Sequence, residues 1–232
     1  MAAHSTRRFP DLEAVVEAVI ECRDCPRLVD WREQVARERR AAYAEQSYWG
    51  RPVPGFGDPD ASVVVVGLAP AAHGANRTGR LFTGDRSGDW LFASLYRTGL
   101  ANQARSVARD DGLELHGAFI TAAVRCAPPD NRPTVIERDR CAPYLAAELE
   151  LLPWLVAVAL GSFAWDAVLR HTGWSGRKPR FGHGTEVELP DGRVLLGSYH
   201  VSQQNTFTGR LTEEMLDAVL RRAATLGAGR QP

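Results

Sequence analysis

Two kinds of apolar pattern alternate along this chain. Between Ser62 and Gly67 four consecutive valines, Val63 to Val66, form a run with no polar face. A β-branched stretch of that kind predicts a strand covered on both sides, and therefore a parallel one. The runs Ala118–Val124 and Leu155–Leu160 predict two more strands. Each run is followed by apolar residues at helical spacing. Residues 89–98 put Leu91 and Leu95 on one face, with Ser87 as the expected N-cap and Gly99 as the stop. Residues 143–152 and 163–171 repeat the pattern, the second opened by Ser162. Nearer the N-terminus, Leu12, Val15, Val16 and Val19 predict a helix capped by Asp11, and the charged stretch 31–46 also suits a helix. Residues 50–60 are rich in Pro and Gly and read as loop. Asp191-Gly192 between alternating runs at 185–189 and 193–199 predicts a hairpin or sharp strand connection. Thr212 opens a last helix ending near Gly227, with 227–232 expected as a disordered tail.

Strands alternating with helices predict an α/β fold, one mostly parallel sheet covered on both faces. The 232 residues suit a single domain spanning the chain. A composition of 44% hydrophobic and 24% charged residues is that of a globular protein, and no apolar run is long enough to cross a membrane. The N-terminal basic residues lack an apolar segment behind them, so no secretory signal is expected and the cytoplasm is the default location. Formal net charge is zero, so attraction to a polyanion would have to come from a local patch. Arg170, Arg177, Lys178 and Arg180 are candidates for one, or for a solvated basic loop.

The four cysteines change the picture more than the charge does. Cys22 and Cys25 form a C-x-x-C at the end of the first helical stretch, with no apolar strand before it, which argues against a thioredoxin-like motif. Cys126 and Cys141 lie far along the chain, around a Pro-rich loop. Four thiols in this arrangement make an economical ligand set for one structural centre. Their spacing leaves zinc and an iron–sulfur cluster equally open.

In open α/β sheets ligands collect beyond the carboxyl ends of the strands, and three polar segments occupy that position. The loop Gly67–Gly88 is built of small residues and carries Arg77 and Arg80, a composition suited to anion binding through exposed N–H groups. It lacks the glycine spacing of a dinucleotide site or P-loop. Arg125–Pro133 follows the second strand, and Tyr199–Arg210 links the last strand to the last helix. Together they offer an aromatic platform (Phe82), a carboxylate (Asp85), an amide (Asn131) and an imidazole (His200). That set suits an enzyme holding an extruded nucleobase by stacking and edge contacts.

The segments GLAPAAHGANRTGRLFTGD and HVSQQNTFTGRLT resemble the two signature motifs of family 5 uracil-DNA glycosylases, and the four cysteines match the same family. The likeness runs from about Cys22 to Thr212. It implies a three-layer α/β/α fold, a [4Fe–4S] cluster held by Cys22, Cys25, Cys126 and Cys141, and excision of damaged bases from double-stranded DNA, with nucleoid association and a monomeric enzyme expected. By the same resemblance Phe82 stacks on the flipped base, Asp85 and Asn131 position the hydrolytic water, and His200 donates to the base oxygen. Ala69, Pro70 and Ala71 line the base site. The loop Val201–Phe207, with Ser202, Gln203, Gln204 and Asn205, enters the minor groove and fills the vacated stack. Sister families carry an acidic or amide residue at Ala69 and an asparagine at Ala122, so these alanines imply a looser specificity reaching hypoxanthine and xanthine. Three other readings compete: a non-catalytic nucleic-acid-binding module of the same fold with a structural metal, a superfamily member trapped covalently on DNA, and a Rossmann-type nucleotide-binding enzyme. Asp85, Asn131 and His200 speak against the first, the first motif against the second, and the missing glycine pattern against the third.

Overall fold

The computed structural model describes residues 8–229. In chain order the elements are α1 (Leu12–Ile20), α2 (Pro26–Glu38), β1 (Phe56–Gly57), β2 (Val63–Gly67), α3 (Ala75–Thr78), α4 (Arg86–Arg97), β3 (Ala118–Ala122), α5 (Val135–Leu151), β4 (Val156–Leu160), α6 (Ser162–Leu169), β5 (Glu186–Glu188), β6 (Val194–Ser198), α7 (Gln203–Phe207) and α8 (Glu213–Ala228). The strands form one sheet in the order β1-β3-β2-β4-β6-β5. The four inner strands are parallel, and β1 and β5 close the edges antiparallel.

The valine run of β2 explains the layering. Val63 and Val65 face one side of the sheet with Ile120, Val158 and Leu196, where Leu91 and Leu95 of α4 and Leu216 and Leu220 of α8 cover them. Val64 and Val66 face the other side with Phe119, Ala157 and Leu195, under Leu145 and Leu149 of α5 and Trp165 and Val168 of α6. All four valines are fully buried, each stabilising the fold by about 1.5–3 kcal/mol relative to exposure. The expected three-layer α/β/α fold is what forms. A third cluster lies outside α5, where Val15 and Val19 of α1 and Leu28 of α2 pack on Tyr144 and Ala147.

Several boundaries differ from the sequence expectation. Helix α4 starts at Arg86, and its N-cap is Asp85, whose carboxylate accepts from Gly88 N; Ser87, the expected cap, lies inside the helix. Helix α5 starts two turns before residue 143, because Thr134 and Glu137 form a capping box and the helix runs through Pro143. The stretch 31–46 divides into the end of α2 and a 3₁₀ turn at Ala41–Tyr43. The expected loops hold short elements too: α3 after β2, α7 within Val201–Phe207, and β1 within 50–60. Helix α8 continues to Ala228, so the expected tail from 227 begins inside a helix, and 230–232 lie outside the described residues.

Candidate active site

The loops after β2, β3 and β6 meet at the carboxyl edge of the sheet around a cleft of about 880 Å³. It is lined by Ala69, Ala71, Phe82, Asp85, Asn131, His200, Ser202, Gln203 and Gln204. Pro70, Ala122 and Asn205 do not line it. Pro70 is buried below the loop, and Ala122 ends β3 opposite Gly67, inside the core. Asn205 acts from behind, its Nδ2 donating to the carbonyl of His200 at 2.8 Å.

Phe82 is a bulky residue held at φ +54°, a conformation that needs support from its surroundings. Two glycines supply it. A Cβ on Gly67 would come within 2.7 Å of the Phe82 ring, and one on Gly88 would collide with the Phe82 carbonyl at 1.6 Å. Gly74 has the same relation to Asp85, since its Cβ would fall 1.9 Å from Oδ2. Capping α4 fixes Asp85 through Oδ1, which accepts from Gly88 N at 2.9 Å. The second oxygen then rests over Gly74. Burial raises the Asp85 pKa above the usual aspartate value, more strongly than the Gly88 and Ser87 amides lower it.

Across the cleft the rings of Phe82 and His200 lie 6.4 Å apart, tilted by 38°. His200 keeps part of its surface open, but the protein around it desolvates the ring enough to bring its pKa down to about 4. At neutral pH it is an uncharged imidazole with one N–H to offer. Asp130 and Asn131 both sit at positive φ, +54° and +55°, which exposes the Asn131 amide at the rim. Asp and Asn are among the residues that tolerate this region best.

The expected anion-binding role of the β2 loop is not what its arginines do. Arg77 is buried and donates to His73 O, Gln46 Oε1 and Gly84 O. Arg80 is buried too and is spent on Thr83, Ser106, Asp111 and the carbonyl of Arg109. The loop's N–H groups largely close its own turns, as in Asn76 N to Ala71 O. Other exposed cations line the cleft: Arg86 from the end of the same loop, Arg132 from the segment after β3, and Arg40, with Tyr43 and His73 beside them. Sequence reading singled out none of the five as site residues, although His73, Arg86 and Arg132 lie in the segments it placed there. Arg40 and Tyr43 come from a stretch without apolar periodicity, and His73 carried no signal apart from its motif. Of the basic patch, Arg170 pairs with Asp139 and Lys178 with Asp166. Arg177, Lys178 and Arg180 border a separate cleft of about 560 Å³ beside α6.

The family profile described as the Uracil DNA glycosylase superfamily matches residues 54–224, a span holding every cleft residue from Ala69 to Gln204. The chain belongs to that superfamily. Within it, the type-5 branch is the nearer one. A type-5 uracil-DNA glycosylase of Mycobacterium leprae is 57% identical over 221 residues, covering 94% of this chain and 95% of its own length. One of Thermus thermophilus is 53% identical over 93% of this chain and 98% of its own. A type-4 uracil-DNA glycosylase of Pyrobaculum aerophilum is 31% identical over 72% of the chain and 69% of its own length.

The superfamily profile begins after Cys22 and Cys25, yet these thiols sit with the other two. Cys25, Cys126 and Cys141 are buried in the cluster outside α5, and Cys22 packs against it. All four are free thiols. Arg32 Nη1 donates to Cys126 Sγ at 2.9 Å, and Arg125 N donates to Cys141 Sγ at 3.3 Å. Among the described residues, no three His, Cys, Asp or Glu side chains converge closely enough to hold a single metal ion. Nor is any described helix long and apolar enough to cross a membrane.

Proposed function

We propose that this chain is a DNA glycosylase of base excision repair that hydrolyses the N-glycosidic bond of uracil, and of hypoxanthine and xanthine, in a nucleotide turned out of double-stranded DNA. One observation carries the reading: Phe82, the free oxygen of Asp85, Asn131 and an uncharged His200 share one cleft. Its exposed arginines offer contacts for phosphates on the approaching strand. The 57% identity to a type-5 uracil-DNA glycosylase over nearly the whole chain supports it.

Breaking the bond builds positive charge on the sugar and negative charge on the departing base. Phe82 offers a stacking face for the base. The Asp85 carboxylate faces the sugar, where it stabilises the developing cation and, with Asn131, orients a water toward C1′. Because Oδ1 is occupied by the helix cap, Oδ2 is the oxygen left for this work. Burial makes it a better proton acceptor than an exposed aspartate. His200 donates an N–H to the base oxygen as charge arrives there, with no charge of its own to neutralise first. Ala69 contributes only a methyl group to the wall, and Ala122 ends β3 without a polar group, so no bidentate edge reader stands at either position and discrimination among bases is weak.

The four cysteines fit a [4Fe–4S] cluster, held by Cys22, Cys25, Cys126 and Cys141. The fit rests on four free thiols gathered in one buried cluster with N–H donors aimed at two of the sulfurs. Four thiolates would serve a single zinc ion equally well, and the choice of an iron–sulfur cluster follows from the family resemblance. When bound it would supply a structural cross-link and take no part in hydrolysis. A monomeric, cytoplasmic enzyme acting at the nucleoid completes the reading.

The test is an excision panel with single-lesion duplexes under single turnover. Uracil, hypoxanthine and xanthine should all be released, and failure to release uracil would refute the reading. In the same panel Ala69→Asn, which puts an amide on the cleft wall, should raise the uracil-to-hypoxanthine rate ratio about 10²-fold or more; an unchanged ratio would place specificity elsewhere.

A further inference from the structure

Arg32 lies in the middle of α2 and is only 2% exposed. A buried guanidinium is expected to face a carboxylate, but Arg32 has none within hydrogen-bonding distance. Glu33 Oε1 is 3.9 Å away and is already bonded to Arg23 at 2.6 Å. What Arg32 touches is the cysteine cluster. Nη1 donates to Cys126 Sγ at 2.9 Å, both Nη1 and Nη2 reach the carbonyl of Cys22 at 3.3 Å, and Nε is buried without a partner. A neutral thiol is a poor acceptor and cannot offset a buried positive charge; thiolates holding a metal centre can.

We infer that Arg32 is a positioning residue of the four-cysteine centre, its guanidinium offsetting thiolate charge at Cys126 while clamping the Cys22 end of the C-x-x-C. The inference rests on the cluster reading above. A second contact extends it: the backbone carbonyl of Arg32 accepts from Nδ2 of the fully buried Asn76 at 3.1 Å. Asn76 lies two residues after Gly74, on which Asp85 rests. The residue that braces the centre is thereby also tied to the loop that shapes the active site.

The experiment compares full-length wild type with Arg32→Gln, Arg32→Lys and, as a control, Arg97→Gln, which loosens the α4–α8 contact on the opposite face of the sheet. Iron and acid-labile sulfide are first measured in each protein as purified. Loss of visible absorption in excess chelator is then followed with time. Arg32→Gln should release iron about tenfold faster than wild type or more, in line with the loss of a residue that orients a metal ligand. Arg32→Lys keeps the charge but not the fork and should fall between, while Arg97→Gln should match wild type. If Arg32→Gln does not accumulate as folded protein, the lysine variant decides the matter alone. An iron-loaded wild type whose Arg32 variants release iron at the wild-type rate would overturn the inference. A wild type free of iron and sulfide would instead overturn the cluster reading beneath it.

Discussion

Asp85 caps a helix and, in the proposed mechanism, serves the chemistry as well. The helix cap claims one oxygen, and Gly74 leaves room for the other. Asp85→Ala should slow single-turnover excision by about 10²–10⁴-fold while changing duplex binding little; an intact excision rate would remove Asp85 from the mechanism. Gly74→Ala should mimic it without removing the carboxylate, because the added methyl displaces Oδ2, at an overpacking cost of about 1–3 kcal/mol. The pH profile follows from the same group. Burial raises the Asp85 pKa, so excision should fall as pH drops through a midpoint above the ordinary aspartate value. In Asp85→Asn the residual rate should lose that acid limb, whereas His200→Gln should retain it. A limb that persists in the asparagine variant would assign it to another group. Phe82, Asp85, Asn131 and His200 were all legible in the sequence, through motif likeness. The glycines that hold them were not, because a steric requirement has no signature until the neighbour it must avoid is known.

At the scale of elements, long periodic segments were readable and short ones were not. The buried parallel strands appeared as unbroken apolar runs, since a strand covered on both faces needs no polar side. Elements α3, α7 and β1 are too short to show a period, and tertiary contacts hold them. Pro143 concealed the first half of α5, whose start is marked by the capping box. Helices α4 and α8 are joined by a contact that sequence could not announce: Asp217 accepts from Ser94 Oγ at 2.5 Å and from Arg97 Nε at 2.8 Å. Burial alone would raise the Asp217 pKa, but Arg97 and Ser94 outweigh it and hold the pKa below the usual value. Its stabilisation should therefore be present above the unfolded pKa of about 3.9 and fade as pH falls through the lower folded value. Asp217→Ala should cost about 2–3 kcal/mol in urea unfolding, below the full value for a buried pair because Arg97 stays partly exposed. Excision at a permissive temperature should be unaffected; a stability equal to wild type would show that the contact contributes nothing net.

On the scale of the whole molecule, the active site and the cysteine cluster are neighbours through one short segment. Cys126 lies four residues past the end of β3, and Asn131 follows it by five residues on the turn held at positive φ. Cys141→Ser should therefore disturb the rim of the cleft as well as the cluster. Accelerated amide exchange over 126–134 would register the effect, and unchanged exchange there would show that the turn holds itself.

The cluster has one more consequence, and it concerns the order in which the chain becomes a protein. Arg32 finds Cys126 across 94 positions of sequence, so the first helices have nothing to dock on while they emerge during synthesis. Their landing surface, the outer side of α5, exists only after β2, β3 and that helix have been made. The N-terminal arm is thus the last part of the first half to settle, although it is the first part to be translated. A polypeptide that stalls before Cys141 would display Cys22 and Cys25 as an exposed, unpaired dithiol. Completion of the fold is what buries Cys25 and packs Cys22 against the cluster.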